Sequence, residues 1–549
     1  MPKRSSRKKQ DALGPSRHLV LAPFLFVAVA LSVLFTADDY GITTDEPIYM
    51  GQGQRIAGWL RDSATSFANR DFLTPFRKEI VDKAWYAGKD QQPPLVKALS
   101  GILGMVLPGG LGATAPLRAP GAILFAAAVT ALYIFCSARW RVRAGLAAAL
   151  SLFLLPRAFA HAHYATLDIP VASLALLTAL AFWKTGETGR WGWAVLTGVL
   201  FGLALLAKLN ALLVLPVLLL WSAIWQRKAM IVKVVAMVAI GPAAFLLGWP
   251  WLWHSPIARF MDYVKFHSSH YPVDVYYLGN TYHYAPWHYP FVLTGVTVPV
   301  GILALMVIGM LVALARARRG SAETLLLVMA AAYLLVSALP QAPKYNGVRL
   351  FMPAFPFLAG LAGLGFERLT AAVESALQRL PALARWVAPL AAIGIFASAA
   401  VAVVGTHPYQ LAYYNALVGG MKGARKAGLE TIYWGGPYLQ AVERLNRKPA
   451  TIYVIPRGAV SYLEVYQNAG VLRRDLQFRA RVPDPAENLA QLKECDLVIF
   501  QCAQSEFDDI AWALYRRGKP AWGIRLNGVP LLLAFDARQA VEVIENAGR

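Results

Sequence analysis

An α-helical polytopic membrane protein of about eleven spanning helices, with a C-terminal soluble α/β domain, is the fold class this sequence predicts. Three observations lead there. The 549 residues are 57% hydrophobic and 15% charged, with a mean hydropathy of +0.45, whereas soluble domains sit near half apolar and about a quarter charged. Apolar runs of about 20 residues, the length that crosses a bilayer, recur as far as residue 405. From Thr406 onward the composition turns mixed and polar, and shorter β-branched runs replace the long ones.

The basic opening "MPKRSSRKKQ" precedes the first apolar run, which no A-x-A cleavage pattern follows. Residues 1–17 therefore read as a cytoplasmic tail and the first run as a retained helix. Taken in order, the spans fall at roughly 18–37, 119–137, 144–160, 170–184, 191–207, 210–225, 232–250, 289–314, 322–340, 349–366 and 386–405. The short segment Pro93–Gly110, with Lys97 inside it and Pro-Gly-Gly at its end, is expected to dip in and return. With that choice the basic connections "RWRVR" (139–143), "QRKAMIVK" (226–233) and "ARARRG" (315–320) all join the tail on the cytoplasmic side, as the positive-inside rule requires. Outer loops then span 38–118 and 251–288, within a membrane domain of residues 18–405.

Residues 406–549 form the second domain, placed on the outer side. "ATIYVI", "CDLVIF" and "VPLLLAF" read as strands, and "GPYLQAVERLN" as an amphipathic helix. The three cysteines make no disulfide framework; Cys495 and Cys502, at odd separation on one expected strand, are assigned to opposite faces. The formal net charge of +22 follows topology and lipid, which argues against a nucleic-acid partner.

This topology gathers unusual polar groups on the outer face. In "GITTDEPIYM", Asp45 and Glu46 leave the first span side by side, either as a helix cap or as a catalytic carboxylate at the membrane surface. Asp168 stands before Ile169-Pro170, where a cap and a functional acid are equally natural. His161 and His163 at i,i+2 are too sparse for a metal site, and none is assigned. Lys97, Arg118, Lys208, Lys344 and Arg349 fall at outer edges that should be poor in cations. One alone would be a snorkelling side chain; five beside two acidic sites suggest a pocket for an anionic lipid head group such as a phosphate. The aromatic loop from Trp251 fits both an interfacial belt and stacking on a sugar face.

Six segments in this order resemble the C-type membrane glycosyltransferases (GT-C) that use polyprenyl-phosphate sugars, notably the dolichyl-phosphate-mannose–protein mannosyltransferase and aminoarabinose (lipid A) transferase superfamily. They are "TTDEPIYMGQG", "DQQPPLVKAL", "PRAFAHAHYATLDIP", "AKLNALLVLP", "YLGNTYHYAPWHYP" and "NGVRLFMPAFPFLAGLAG". Gln92 stands where that family usually has a histidine. The resemblance implies a GT-C fold in a bacterial inner (plasma) membrane, with the C-terminal domain periplasmic. It also implies an inverting transfer of one sugar from a polyprenyl phosphate to a protein, lipid A or another glycan. Asp45 would be the general base with Glu46 adjacent, and Asp168 would assist it. Lys97, Lys208, Lys344 and Arg349 would hold the donor phosphate, and His163, Tyr164, Trp287 and Tyr289 would contact the acceptor or sugar. No Trp-Trp-Asp motif occurs, so a monosaccharide donor and no metal or other cofactor are expected. A lipid or solute transporter without glycosyl transfer is the alternative.

Overall fold

In the computed structural model, which describes residues 17–86, 88, 91–107, 113–268, 273–317 and 320–547, the apolar runs are helices. The tail 1–16 lies outside the described residues. The chain begins with α1 (Arg17–Leu34), α2 (Glu46–Ala68), α3 (Lys78–Trp85), α4 (Leu95–Val106) and α5 (Ala115–Arg139). It continues with α6 (Val142–Phe153), α7 (Pro156–Ala162), α8 (Asp168–Thr188) and α9 (Trp191–Ala207). Among the described residues, five stretches are long and apolar enough to cross a membrane: Leu19–Asp39, Ala115–Arg139, Asp168–Thr188, Met230–Leu247 and Pro381–Gly405. Counting α6 and α7 as one bent span makes six. The protein is thus a multi-pass membrane protein, with fewer full-length apolar helices than the eleven runs suggest.

Proline accounts for much of the difference. The run at 144–160 breaks because Leu155 is forced into extended backbone before Pro156, so α6 and α7 meet at 69°. The run at 289–314 divides at Val298–Pro299 into Tyr289–Thr297 and Val300–Ala315. The segment expected to dip is α4, whose 12 residues reach about 18 Å, short of a ~30 Å hydrocarbon core.

Two packing features position the outer end of the bundle. Helix α1 packs on α5, and α5 on α6 and α8, through a shared apolar core that includes Val29, Phe125, Leu152 and Leu176. Helices α2 and α4 cross at Gly53 and Gly101, where a Cβ on Gly101 would stand 1.9 Å from the Gly53 carbonyl oxygen. Only hydrogen at both positions permits this approach. It brings the start of α2 beside Lys97.

After a 3₁₀ turn at Gln410–Ala412 the chain builds a five-stranded mixed sheet. The short hairpin β1 (Val275–Tyr277) and β2 (Asn280–Tyr282) precedes it. The sheet strands are β3 (Thr451–Ile455), β4 (Gln477–Ala480), β5 (Leu497–Gln501), β6 (Trp522–Leu526) and β7 (Val529–Asp536), in the order β4-β3-β5-β7-β6. Strands β3, β4 and β5 are parallel, and β7 runs antiparallel to both β5 and β6. Alternation along β3 sends Ile452 and Val454 to one apolar layer, with Tyr462 and Tyr438, and Tyr453 and Ile455 to the other, with Leu514 and Phe535. The assignment of Cys495 and Cys502 to opposite faces is corrected here. Both lie beyond the ends of β5, where strand alternation stops, and both join the second layer as free, buried thiols.

Glu430 ties the segment before this sheet to the loop after β5. Its Oε1 accepts hydrogen bonds from the Ser505 backbone N–H at 2.9 Å and from Ser505 Oγ at 2.5 Å. Burial nevertheless pushes its carboxyl from 4.5 up to about 7. A carboxyl raised on folding stabilises the protein fully below its unfolded pKa, and that contribution is lost as pH rises through the folded value. Stability should therefore fall between pH 4.5 and 7, by roughly 3 kcal/mol from this group. Glu430→Gln should flatten that stretch of a stability–pH profile measured by denaturant unfolding in detergent; an unchanged slope would refute the assignment.

Candidate active site

The motif that opens the first outer loop is locked from below by one buried ion pair. Glu46 and Arg118 are 0% and 1% exposed. Arg118 donates from Nε to Glu46 Oε1 at 2.8 Å and from Nη2 to Oε2 at 2.9 Å. Its remaining donors go to the carbonyls of Ala37, Tyr40 and Gly41. Glu46 also accepts from the backbone N–H groups of Thr43 and Ala165, both at 2.9 Å, while its own N–H donates to Thr43 Oγ1 at 3.3 Å. That reciprocal Thr43–Glu46 pair closes the turn leading into α2. Both Glu46 oxygens are hydrogen-bonded, which holds the start of α2 and its neighbour Asp45 in place.

Asp45 holds the cap position of α2 but makes no side-chain cap bond. Its carboxylate is instead paired with Arg349 Nη2 and keeps 23% of its side-chain surface. Asp168, first residue of α8, likewise caps nothing; Leu167 holds the cap position. Its Oδ1 accepts from Lys208 Nζ at 2.7 Å and its Oδ2 from Arg349 Nε at 2.9 Å. Arg349 thereby bridges two carboxylates, and Lys208 closes the far side. Lys208 reaches Asp168 because α9 ends there in extended backbone, φ −163°, ψ 145°. Burial pulls its ammonium below the usual lysine range against the opposing pull of Asp168. Arg349 follows Asn346 and Gly347, both at positive φ, which turn the chain back toward the site.

The other expected residues divide. Lys97 is buried beside α2: Nζ donates to the Gln92 carbonyl at 3.1 Å and lies 4.9 Å from the ring centre of Tyr49, one turn on from Asp45. Tyr49 is also among the groups acting electrostatically on Arg349, so Lys97 borders the cluster. Lys344 donates to the carbonyls of Leu339 at 2.7 Å and Ala342 at 3.0 Å, satisfying the end of the Ala322–Ala338 helix. His163 is also spent inside the fold, on the Phe159 carbonyl at 2.7 Å and Thr36 Oγ1 at 2.8 Å. Trp287 is 65% exposed and packs on His288 and Phe291. Tyr289 is buried and donates to the Gly347 carbonyl at 3.4 Å, supporting the turn before Arg349. Tyr164 lies under the cluster, against Arg118 and Trp434.

Three residues at the cluster were not assigned to it from sequence. His161, rather than His163, stands 3.9 Å from Asp168 Oδ2 through Nδ1 and meets the Tyr433 hydroxyl at 3.0 Å through Nε2. Trp434 lies under the Arg349 guanidinium, 5.1 Å from ring centre to Cζ. Spacing on α7 gives no hint of which histidine turns inward, and Tyr433 and Trp434 are some 85 residues from any other member. No group of three or more His, Cys, Asp or Glu side chains suited to a metal ion occurs among the described residues.

Chemically, the cluster offers two carboxylates balanced by two cations. An arriving phosphate would compete for Arg349 and Lys208. Lys208→Met should weaken binding of a polyprenyl phosphate about 10–100-fold, the range expected when a hydrogen bond to a charged group is lost. Direct titration of the purified protein would check this, and an unchanged affinity would remove Lys208 from the anion site.

Comparison with known proteins agrees with the sequence resemblance. Residues 91–254, which contain Lys97, Asp168 and Lys208, match the family model described as dolichyl-phosphate-mannose-protein mannosyltransferase. No curated protein sequence matches the chain. Among solved structures, ArnT from Cupriavidus metallidurans bound to undecaprenyl phosphate is similar at 18% identity, covering 93% of this chain and 97% of that one, with a TM-score of 0.47. The apo state of the same protein matches at 19% identity, covering 95% and 99%, with a TM-score of 0.48. The Archaeoglobus fulgidus oligosaccharyltransferase matches at 15% identity, covering 85% of this chain and 60% of that one, with a TM-score of 0.47.

Proposed function

We propose that this protein is a membrane glycosyltransferase that moves a sugar from a polyprenyl phosphate to an acceptor on the outer side of a bacterial inner membrane. The observation that carries the reading is the Asp45–Arg349–Asp168–Lys208 network, drawn from four segments spread over 305 positions and set at the outer ends of helices. The family-model match over 91–254 supports the same chemistry. In this reading the eleven apolar runs cross or enter the membrane, with the N-terminus cytoplasmic and residues 406–549 periplasmic.

Arg349 and Lys208 hold the donor phosphate and take up the negative charge that develops as it leaves. Drawing Arg349 toward the phosphate loosens its grip on Asp45, leaving that carboxylate free to accept the proton of the acceptor hydroxyl or amine. The acceptor atom then bonds to the anomeric carbon as the carbon–oxygen bond to phosphate breaks. The electron pair departs with the polyprenyl phosphate, and the sugar inverts in one displacement. Asp168 stays paired and keeps the two cations in place. The acceptor is a protein, lipid A or another glycan, and no cofactor is assigned.

The test is a panel of polyprenyl-phosphate monosaccharides offered to the protein in nanodiscs with membrane extract as acceptor, following free polyprenyl phosphate by mass spectrometry. Release from one donor with inverted sugar stereochemistry supports the reading and names the sugar. Movement of donor across the bilayer with no release would favour the transporter.

A further inference from the structure

The segment Thr431–Gly435 has no regular secondary structure, yet all of it is buried. Loops usually run over surfaces, because their backbone groups need partners. This one is held from both sides. Thr431 donates through Oγ1 to the Cys502 carbonyl at 2.8 Å, fastening it to the sheet. On the membrane side it interlocks with the acidic motif: a Cβ on Gly41 would stand 2.4 Å from the Gly436 carbonyl oxygen, and one on Gly435 2.7 Å from that of Ile42. Glycine at 41 and 435 is what lets the two loops close on each other.

Trp434 sits at the centre of this contact with φ at +64°, a conformation that bulky residues rarely adopt and that clusters at functional sites. The indole is 2% exposed. Its face carries Arg349 at 5.1 Å, and its ring centre lies 4.8 Å from His161 and 5.3 Å from Tyr164. Among the described residues the indole Nε1–H has no hydrogen-bond partner, and neither has His161 Nδ1. Buried donors are nearly always satisfied. Here two unsatisfied ring nitrogens flank the residue that bridges Asp45 and Asp168.

We propose that Trp434 is part of the donor-phosphate site: its ring face fixes the Arg349 guanidinium, and its indole N–H donates to a phosphate oxygen of the bound polyprenyl lipid. The inference rests on the function proposed above and goes beyond it, because it makes residues after 406 a wall of the reaction centre. His161, whose Nδ1 lies 3.9 Å from Asp168 Oδ2, is the second group of that wall.

The test titrates the full-length protein in detergent with undecaprenyl phosphate and with the neutral alcohol undecaprenol, comparing wild type, Trp434→Phe and Trp434→Leu. Phenylalanine keeps an aromatic face for Arg349 but removes the N–H together with the second ring. Trp434→Phe should bind the phosphate lipid about tenfold more weakly with undecaprenol binding unchanged, and Trp434→Leu about a hundredfold more weakly. A purely structural tryptophan would lower the thermal midpoint or weaken both lipids together. Wild-type affinity for undecaprenyl phosphate in Trp434→Phe overturns the proposal and leaves the proposed function standing. Wild-type protein that fails to prefer the phosphate over the alcohol overturns both.

Discussion

Asp45→Asn should leave the protein folded and able to bind its donor while lowering kcat for sugar transfer by about 10²–10⁴, the range measured when a general base is removed. The asparagine keeps the size of the side chain and an oxygen for Arg349 to donate to, so the network that places Asp168 and Lys208 survives. What disappears is the proton acceptor. Because Arg349 no longer has to release a charged partner, donor affinity should hold or rise slightly. The measurement pairs release of polyprenyl phosphate under single-turnover conditions with direct donor titration. Turnover within a factor of three of wild type would remove Asp45 from the chemistry and with it the proposed mechanism. A parallel loss of donor binding would instead make Asp45 a positioning group for Arg349.

Glu46 should behave in the opposite way, although it is the next residue. Replacing it by alanine strands a guanidinium that is 1% exposed and leaves the N–H groups of Thr43 and Ala165 without their acceptor. Removing one partner of a buried pair costs about 3–5 kcal/mol, a large share of the ~5–15 kcal/mol that holds a typical protein folded. Glu46→Ala should therefore lower the thermal midpoint sharply, and activity should fall because less protein is folded. Glu46→Gln keeps an acceptor oxygen and is expected to lose less stability than alanine while retaining turnover per folded molecule. A stable Glu46→Gln with no turnover would show that the adjacent carboxylate does chemistry after all.

Together these two variants separate the functions of one dipeptide. A reciprocal hydrogen-bond pair joins Glu46 to Thr43 and the ion pair joins it to Arg118, and between them they fix the backbone at the start of α2. Asp45 has no such commitment and points to Arg349. A helix start pinned by its neighbour is a rigid mount for a reactive side chain at a membrane surface.

Much of this was legible along the chain because it depends on local composition. Apolar runs must be helices in a bilayer, since only internal hydrogen bonding satisfies their backbone there. The alternating runs at 451–455, 497–501 and 529–536 became strands for the equally local reason that one face of each must be buried. Asp45, Asp168, Lys208 and Arg349 could be selected because charges at membrane edges are too costly to be kept without a use. Where local pattern does not decide a side chain's partners, the deciding contact is remote. Lys344 is a cation at the right edge, but the carbonyls ending the Ala322–Ala338 helix take it. His163 and His161 are two residues apart on one turn, and only the packing of α7 decides which faces Asp168.

The sequence by itself determined that this is a helical membrane protein followed by a mixed α/β region, and which charged residues are anomalous enough to matter. Those properties follow from hydropathy and periodicity, which are summed over neighbours in the chain. Only the tertiary structure decided that Arg349 spans two carboxylates, that Glu46 is buried against Arg118, and that Trp434 packs on Arg349 from a position 85 residues beyond it. Each is a pairing of buried groups across long sequence distance, and such a pairing is selected by burial and geometry that no local pattern records.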